Sequence, residues 1–268
     1  MTIIENIRAE IARFEEESRS MSESNERLEL EEGHTAEQPR IRRIRLPHTI
    51  SDMMRELMYS DHILAPARDL IGPDLRLHTT KLNMKSPENG AAIEWHQDYA
   101  FYPHTNDDIL AIGVIIDDME SANSPLMVYP GSHKGPVYDH HIDGVFAGAF
   151  IPDEVGLNAD NAVELKGPAG SISIHHGRIV HGSSANTSDQ ARRILFYEMM
   201  AADAFPINGS LTQWNGIEDY NTRMLCGEPT ISPRLKDIPI RIPQPQPDVP
   251  VSIYEIQKGL GKSGFQSS

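Results

Sequence analysis

The chain is 268 residues long and has a formal net charge of -15, because 39 aspartates and glutamates outnumber 24 lysines and arginines. This length is typical of one domain with a sizeable hydrophobic core. The negative charge argues against nucleic acid and anionic membranes as partners. Cys226 is the only cysteine, which excludes an intrachain disulfide and a cysteine-based zinc site and favours a reducing, cytoplasmic compartment.

The N-terminal stretch is predicted to be an amphipathic helix from about residue 3 to residue 21. Its apolar positions recur at helical spacing among charged residues: Ile4, Ile7, Ile11 and Phe14. The stretch holds early acids and no continuous apolar run, so we expect neither a signal peptide nor a transmembrane helix. Residues 22–38 are rich in Glu, Ser and Asn, which predicts a mobile connection or a frayed helix. A second helix is predicted over residues 51–71, where Gly72 and Pro73 end it.

From residue 75 onward the sequence changes to short segments of strand-like composition, separated by Gly, Pro, Asn and Asp. The predicted strands are 75–84, 91–97, 109–117, 126–129, 162–165, 171–175, 179–182 and 193–200. Such a series is typical of a sandwich or barrel with two facing sheets. The proline-rich residues 238–250 predict an extended surface strap. We therefore expect a mainly β fold with flanking α-helices.

One short motif suggests a metal site. His96 and Asp98 stand two residues apart, so on a regular strand their side chains leave the same face and can bind one ion. His181, near the end of a later predicted strand, is a candidate third ligand. Two histidines and one carboxylate form the facial triad of non-haem iron(II) oxygenases, which leaves positions open for oxygen and an organic co-substrate. Taken alone, the His-x-Asp pair also fits two hydrogen-bonded strand residues.

Three segments resemble the phytanoyl-CoA dioxygenase family in their order and spacing. They are His96-Gln97-Asp98-Tyr99, the Pro-Leu-Met-Val-Tyr-Pro-Gly-Ser-His-Lys-Gly run of residues 125–135, and His181-Gly182-Ser183 followed by the stretch from Asn186 to Arg192. The match is specific between about residues 75 and 200 and weaker toward both ends. The resemblance implies a double-stranded β-helix (a cupin-like jelly roll) that uses iron(II), molecular oxygen and 2-oxoglutarate and releases succinate and carbon dioxide.

From the chain length together with this resemblance, we expect one oxygenase domain over the whole chain. Its parts would be a helical portion at 1–72, a double-stranded β-helix core at 73–202 and a C-terminal extension at 203–268.

The resemblance also assigns roles to individual residues. It identifies the iron ligands as His96, Asp98 and His181, and it pairs Arg192 with the distal carboxylate of 2-oxoglutarate. A guanidinium offers a planar fork of donors that matches a carboxylate, although a surface ion pair would also account for an arginine there. Strand alternation points the adjacent Arg193 to the opposite face. Further residues are candidates for contacts with the co-substrate: Asn83 and Ser183, with Thr80 and Tyr102 as weaker additions.

Several residues near these motifs receive other interpretations. His133 is predicted to order its own loop, and one of His175 and His176 is a candidate pocket residue. His140 and His141 are placed in a mobile loop, and none of these five histidines is proposed as a ligand. Glu94 would share the face of His96 and Asp98 if the strand is regular, and it is then a candidate for contact with substrate.

Three classes of function fit a metal-binding barrel. The first is an iron(II) and 2-oxoglutarate-dependent hydroxylase of a small metabolite, and retention of Asp98 favours it because halogenating relatives carry a small residue there. Desaturation or ring formation would use the same oxidant. The second is a non-redox, cupin-like protein that binds a metal or ligand. The third is a zinc hydrolase, which needs a general base near the metal, and Glu94 is the only candidate.

The primary substrate is expected to be a small polar organic molecule. An acyl-CoA substrate would require a basic patch for its phosphates, which the acidic composition does not favour. The residues expected at the pocket mouth are Trp95, Tyr99, Phe101, Tyr102, His104 and Arg178.

Overall fold

The computed structural model describes residues 2–88, 90–207, 214–248 and 252–265. Its helices are α1 (Ile3–Ser18), α2 (Asp52–Met58), α3 (Asp61–Ile71), α4 (Ile217–Asn221) and α5 (Ile253–Gln257). Its strands are β1 (Leu28–Leu30), β2 (Ile41–Arg45), β3 (Leu75–Lys85), β4 (Ile93–His96), β5 (Ile109–Ile115), β6 (Leu126–Val128), β7 (His141–Ile142), β8 (Val145–Phe146), β9 (Val163–Leu165), β10 (Ile172–His176), β11 (His181–Ser183), β12 (Arg192–Ala201) and β13 (Met224–Cys226). Among the described helices, none combines the length and the apolar character needed to cross a membrane.

Most of the strands form two sheets in which the paired strands run antiparallel. The larger sheet has the order β1-β2-β3-β12-β5-β10, and β13 pairs with the N-terminal end of β3. The smaller sheet has the order β4-β11-β6-β9. The long pairing of β3 with β12, from Arg192 opposite Lys85 to Ala201 opposite Leu75, forms the centre of the larger sheet. The fold is therefore mostly antiparallel β with additional helices, as the sequence predicted.

Helices cover the outer face of the larger sheet. The apolar side of α1, including Ile7 and Ile11, packs in one buried cluster with Leu82, Leu195 and other outward-facing strand residues. The first turn of α1 is closed by a capping box, in which the Thr2 hydroxyl and the Glu5 carboxylate accept hydrogen bonds from each other's backbone N–H groups. These contacts bury one face of β3 and β12 and leave the opposite face for the site.

The inner face of the larger sheet meets the smaller sheet. A second apolar cluster joins Ile194 and Phe196 of β12 to Leu126 of β6. Leu82 and Met84 of β3 point outward. Because side chains alternate along a strand, Asn83 between them points inward. The two sheets thus face each other across a narrow interior in which polar side chains are buried.

The structure corrects three predictions about the N-terminal third. Residues 22–38 are not a mobile connection, because Leu28–Leu30 forms the buried strand β1 beside β2, a strand that the sequence did not reveal. The helix predicted over 51–71 is two helices, and the extended backbone of Ser60 separates them. The first helix ends at Ser18 rather than near residue 21.

The C-terminal prediction holds in part. Residues 238–248 contain neither helix nor strand and are mostly exposed, as expected for a strap, whereas residues 249 and 250 lie outside the described residues.

Glu29 explains why β1 is held at the sheet edge. Its carboxylate is 2% exposed and lies 3.5 Å from Arg42 Nε, 3.7 Å from Arg43 Nη1 and in contact with Arg45. It also accepts a hydrogen bond of 2.9 Å from the Ser252 hydroxyl. Burial alone would raise the pKa of Glu29, but the charges of Arg43 and Arg45 lower it below its ordinary value of 4.5.

We expect Glu29→Gln to lower the free energy of unfolding at pH 7 by about 1–3 kcal/mol, because it leaves buried guanidinium groups without their carboxylate. A group with a lowered pKa stabilises the fold above its unfolded pKa and ceases to do so as the pH falls through its folded pKa. The difference between variant and wild type should therefore shrink below pH 4.5. Urea denaturation at pH 7 and at a pH below 4.5 measures the two free energies of unfolding, with the exposed Glu26→Gln as control. Equal stability of Glu29→Gln and wild type at pH 7 would contradict the assignment.

Candidate active site

His96, Asp98 and His181 converge at one point between the two sheets. His96 ends β4, Asp98 begins the following turn, and the antiparallel pairing of β4 with β11 puts His181 directly opposite His96. One potential ligand atom from each residue lies within 4.8 Å of the other two, and all three residues are buried. Within the described ranges, this is the one such cluster of His, Cys, Asp and Glu.

Backbone carbonyl groups orient both imidazoles. His96 Nδ1 lies 2.7 Å from the Glu94 carbonyl oxygen, and His181 Nδ1 lies 3.0 Å from the Ile179 carbonyl oxygen. When each Nδ1–H donates to its carbonyl, each Nε2 keeps a free lone pair for a metal. The Nε2 atoms lie 3.7 and 3.8 Å from the carboxylate oxygens of Asp98. The donor set and its orientation therefore fit an iron(II) ion.

The protonation states of Asp98 and His181 also suit a metal. Burial alone would raise the pKa of Asp98, but the charge of Lys81 and contacts with neighbouring histidines lower it well below its ordinary value. Burial, followed by proximity to His96, lowers the pKa of His181 well below its ordinary value. An ionised carboxylate and neutral imidazoles are the forms that bind a metal.

A small pocket adjoins this cluster on the inner face of the larger sheet. Its walls include Asn83, Ser183 and Arg192 together with His96 and His181. Arg192 is 2% exposed and donates hydrogen bonds to the Ser183 hydroxyl at 3.2 Å and the Ser124 carbonyl at 3.1 Å. No carboxylate of the described residues pairs with it, and burial lowers its pKa to about 10. A buried cation of this kind needs an anion, which the carboxylate of a dicarboxylic co-substrate would supply.

The residues beside Arg192 differ in their surroundings. Arg193 faces the outer side of the sheet, where it forms a bidentate ion pair of 2.7 Å with both carboxylate oxygens of Asp117. Asn83 accepts a hydrogen bond of 3.1 Å from Arg43 Nε, which fixes its side-chain oxygen and leaves its amide hydrogens in the pocket region. The structure thus brings Asn83, Ser183 and Arg192 together as the sequence analysis expected.

Thr80 and Tyr102, the weaker candidates, lie apart from that pocket. The Thr80 hydroxyl lies 2.6 Å from His48 Nδ1, and the Tyr102 hydroxyl donates to Glu198 Oε2 at 3.1 Å. Both residues line a separate, larger cavity of about 1040 Å³. Because Asp98 also borders this cavity, the cavity would give access to a metal at the cluster from a second direction.

Only two of the six predicted mouth residues, Phe101 and Tyr102, line the larger cavity. The other four make contacts within the fold. Trp95 stacks on Phe265 with ring centres 4.7 Å apart, and Arg178 pairs with Asp107 at 2.7 Å. The Tyr99 hydroxyl donates to the His104 carbonyl, and His104 Nδ1 lies 2.6 Å from the Tyr102 carbonyl.

Sequence reasoning missed several polar residues of the cavity, among them His78, Lys81 and Glu198. Lys81 and Glu198 form an ion pair between the adjacent strands β3 and β12. Lys81 lines both the small pocket and the cavity, so it marks the junction between them. The available signal was a charged residue, Glu198, within an otherwise apolar predicted strand.

The five histidines that were not proposed as ligands have varied surroundings. His175 lies beside the cluster, with Nε2 3.5 Å from Asp98 Oδ2. His140 is buried rather than in a mobile loop, and its Nε2 accepts a hydrogen bond of 2.9 Å from the Gln97 N–H. His133 faces His176 with ring centres 5.4 Å apart, and His141 pairs with Asp139.

Glu94 does not face the metal cluster. The pairing of β4 with β11 shifts register between His96 and Ile93, so the regular alternation that would align Glu94 with His96 is interrupted. The Glu94 carboxylate instead accepts a hydrogen bond of 2.8 Å from the Gly264 N–H. The zinc-hydrolase hypothesis thereby loses the general base on which it depended.

Comparisons with known proteins agree with this geometry. The family model described as Phytanoyl-CoA dioxygenase (PhyH) matches residues 2–194. A probable alpha-ketoglutarate-dependent hypophosphite dioxygenase of Stutzerimonas stutzeri is 37% identical over 246 residues, 90% of this chain and 84% of that protein. The L-proline trans-4-hydroxylase of Streptomyces griseoviridis is 33% identical over 187 residues, 62% and 68% of the two chains. In fold, the crystal structure of iron-bound EctD from S. alaskensis has a TM-score of 0.61 at 21% identity and covers 75% of this chain and 69% of that one.

Proposed function

Since this chain belongs to the phytanoyl-CoA dioxygenase family, we propose that His96, Asp98 and His181 hold the iron(II) of a 2-oxoglutarate-dependent dioxygenase. The observation that carries the proposal is the buried Arg192, which has no carboxylate partner among the described residues and lines one pocket with both histidines. Arg192 would bind the distal carboxylate of 2-oxoglutarate, and Ser183 and Asn83 would contribute further hydrogen bonds.

The residues of the chain have separable tasks in this reaction. Iron(II), when bound with 2-oxoglutarate and oxygen, supplies the oxidising chemistry that hydroxylates the substrate and releases succinate and carbon dioxide. His96, Asp98 and His181 would hold the metal and leave positions open for the co-substrates. Arg192 orients 2-oxoglutarate from the small pocket, and the larger cavity admits the primary substrate on the side of Asp98.

The architecture proposed for this site is a double-stranded β-helix. The larger and smaller sheets face each other and both supply residues to the small pocket. We assign the whole chain to one oxygenase domain, in which the portion before residue 73 adds β1 and β2 to the larger sheet. The lone cysteine still favours a reducing, cytoplasmic compartment, which stays a prediction.

The substrate class proposed is a small polar metabolite that is hydroxylated. Relatives are named for hypophosphite, L-proline and ectoine, all of them small. The non-redox, cupin-like alternative has no support among these relatives, which are dioxygenases or hydroxylases by name.

The test is succinate formation by the iron-loaded protein. We expect succinate release that requires iron(II), 2-oxoglutarate and a substrate drawn from hypophosphite, L-proline, ectoine or a fractionated metabolite pool. Each active compound should gain one oxygen atom from ¹⁸O₂, detected by mass spectrometry. A protein that binds iron(II) but neither binds nor consumes 2-oxoglutarate would contradict the proposal.

A further inference from the structure

Five cationic and three acidic residues line the larger cavity, although the chain as a whole is strongly acidic. Its cationic residues are Arg43, Arg45, Arg55, Lys81 and Arg223. Carboxylates pair with four of these: Glu29 with Arg43 and Arg45, Asp52 with Arg55, and Glu198 with Lys81. In the part of the chain that the structure describes, no carboxylate lies within ion-pair distance of Arg223. The fifth cation of the cavity therefore lacks a counter-ion.

The Arg223 side chain is held in place without being neutralised. Its guanidinium carbon lies 4.9 Å from the centre of the Trp214 ring, and its Nη2 donates to the His78 carbonyl. Its backbone carbonyl accepts a hydrogen bond of 2.8 Å from the Leu77 N–H, which anchors the residue beside the start of β3. Among the described residues, the Arg223 guanidinium therefore makes one hydrogen bond, and its other N–H donors stay available.

Two histidines of the cavity wall, His48 and His78, add polar groups to the region around Arg223. Burial, together with the charges of Arg223 and Arg55, lowers the pKa of His48 to about 4. Burial and the proximity of His104 and Arg223 lower the pKa of His78 well below its ordinary value, whereas Asp98 acts in the opposite direction. His78 thus lies within electrostatic reach of both the metal ligand Asp98 and Arg223. Both imidazoles are neutral and can take part in hydrogen bonds with a ligand.

We infer that Arg223 binds an anionic group of the primary substrate, a carboxylate or a phosphonate, while another part of the same molecule reaches the metal. The inference rests on the proposed function. A planar fork of donors suits either oxyanion. A cavity of about 1040 Å³ is of the size that holds an organic ligand and is far larger than the small inorganic oxyanion hypophosphite requires. The substrate class is therefore a small organic acid rather than an inorganic oxyanion.

The reaction balances for such a substrate. One C–H bond of the organic acid becomes C–OH by insertion of one oxygen atom of O₂. The other oxygen atom enters succinate as 2-oxoglutarate loses carbon dioxide, so 2-oxoglutarate supplies the two electrons that complete the reduction of O₂. The anionic group at Arg223 is unchanged in the reaction and serves recognition.

Arg223→Gln tests the inference in a binding measurement that does not depend on turnover. Isothermal titration of the anaerobic iron(II) and 2-oxoglutarate complex uses four probes: butanoate, propylphosphonate, the uncharged butanamide and hypophosphite. We expect at least one organic anion to bind more tightly than butanamide, and its dissociation constant to rise about five- to tenfold in Arg223→Gln. Arg223→Lys, which keeps the charge but not the fork, should show a smaller rise.

The control is Arg68→Gln, which removes a positive charge from an exposed ion pair with Asp61 that lies outside the cavity. It should bind all four probes as the wild type does. The inference is overturned if neither organic anion binds better than butanamide, if hypophosphite alone binds, or if a correctly folded Arg223→Gln binds the anions with unchanged affinity. A wild-type protein that fails to bind iron(II) or 2-oxoglutarate would instead count against the proposed function.

Discussion

Asp98→Ala should reduce succinate formation by more than about 100-fold, because loss of an outer-shell partner alone typically costs about 10- to 100-fold in metal affinity or activity. The substitution removes one of three protein ligands and the negative charge that offsets iron(II). Iron stoichiometry after anaerobic reconstitution should fall as well. Circular dichroism and thermal denaturation should show a folded protein, since the aspartate lies in a turn and Lys81 retains Glu198 as its partner.

Asp108→Ala is the matched control for the loss of an aspartate. Asp108 forms a surface ion pair with Arg234, and such pairs contribute little to stability. This variant should retain its iron and its turnover. A folded Asp98→Ala protein with wild-type iron content and activity would exclude the proposed ligand set.

Arg192→Ala should weaken 2-oxoglutarate binding by about 10- to 100-fold while iron binding stays near wild type. A hydrogen bond to a charged group contributes about 1.5–3 kcal/mol, and about 1.4 kcal/mol corresponds to a tenfold change in affinity. Arg192 is buried and contacts Ser183 and the Ser124 carbonyl rather than any metal ligand. Anaerobic titration of the iron(II) protein with 2-oxoglutarate, followed by visible absorption and by thermal stabilisation, measures the effect.

The neighbouring Arg193→Ala provides the control for this experiment. Arg193 pairs with Asp117 on the outer face of the sheet, so its loss should change stability without changing affinity for 2-oxoglutarate. Equal weakening by both substitutions would mean that the effect comes from the strand as a whole. Unchanged affinity in Arg192→Ala would contradict the role of Arg192 in co-substrate binding.

Much of the core fold could be predicted from the sequence because its signals are local. Strand composition and turn residues located β3 to β6 and β9 to β12 to within a few residues. The edge strand β1 and its neighbour β2 were missed because they are short and charged, and their stability comes from contacts of Glu29 with arginines of the other strand. The break at Ser60 was missed because the apolar periodicity continues across it.

The candidate site also has features that the sequence could predict and others that only the structure reveals. The spacing of His96 and Asp98, and that of His181 and Arg192, lies within short segments, so the sequence by itself indicated these residues as candidates and determined the family to which they point. Only the tertiary structure decided that a register shift turns Glu94 away, that Lys81 joins the pocket to the cavity, and that Arg223 reaches the cavity from beyond the matched residues 2–194. These arrangements depend on contacts between strands far apart in the chain, and local periodicity carries no information about such contacts.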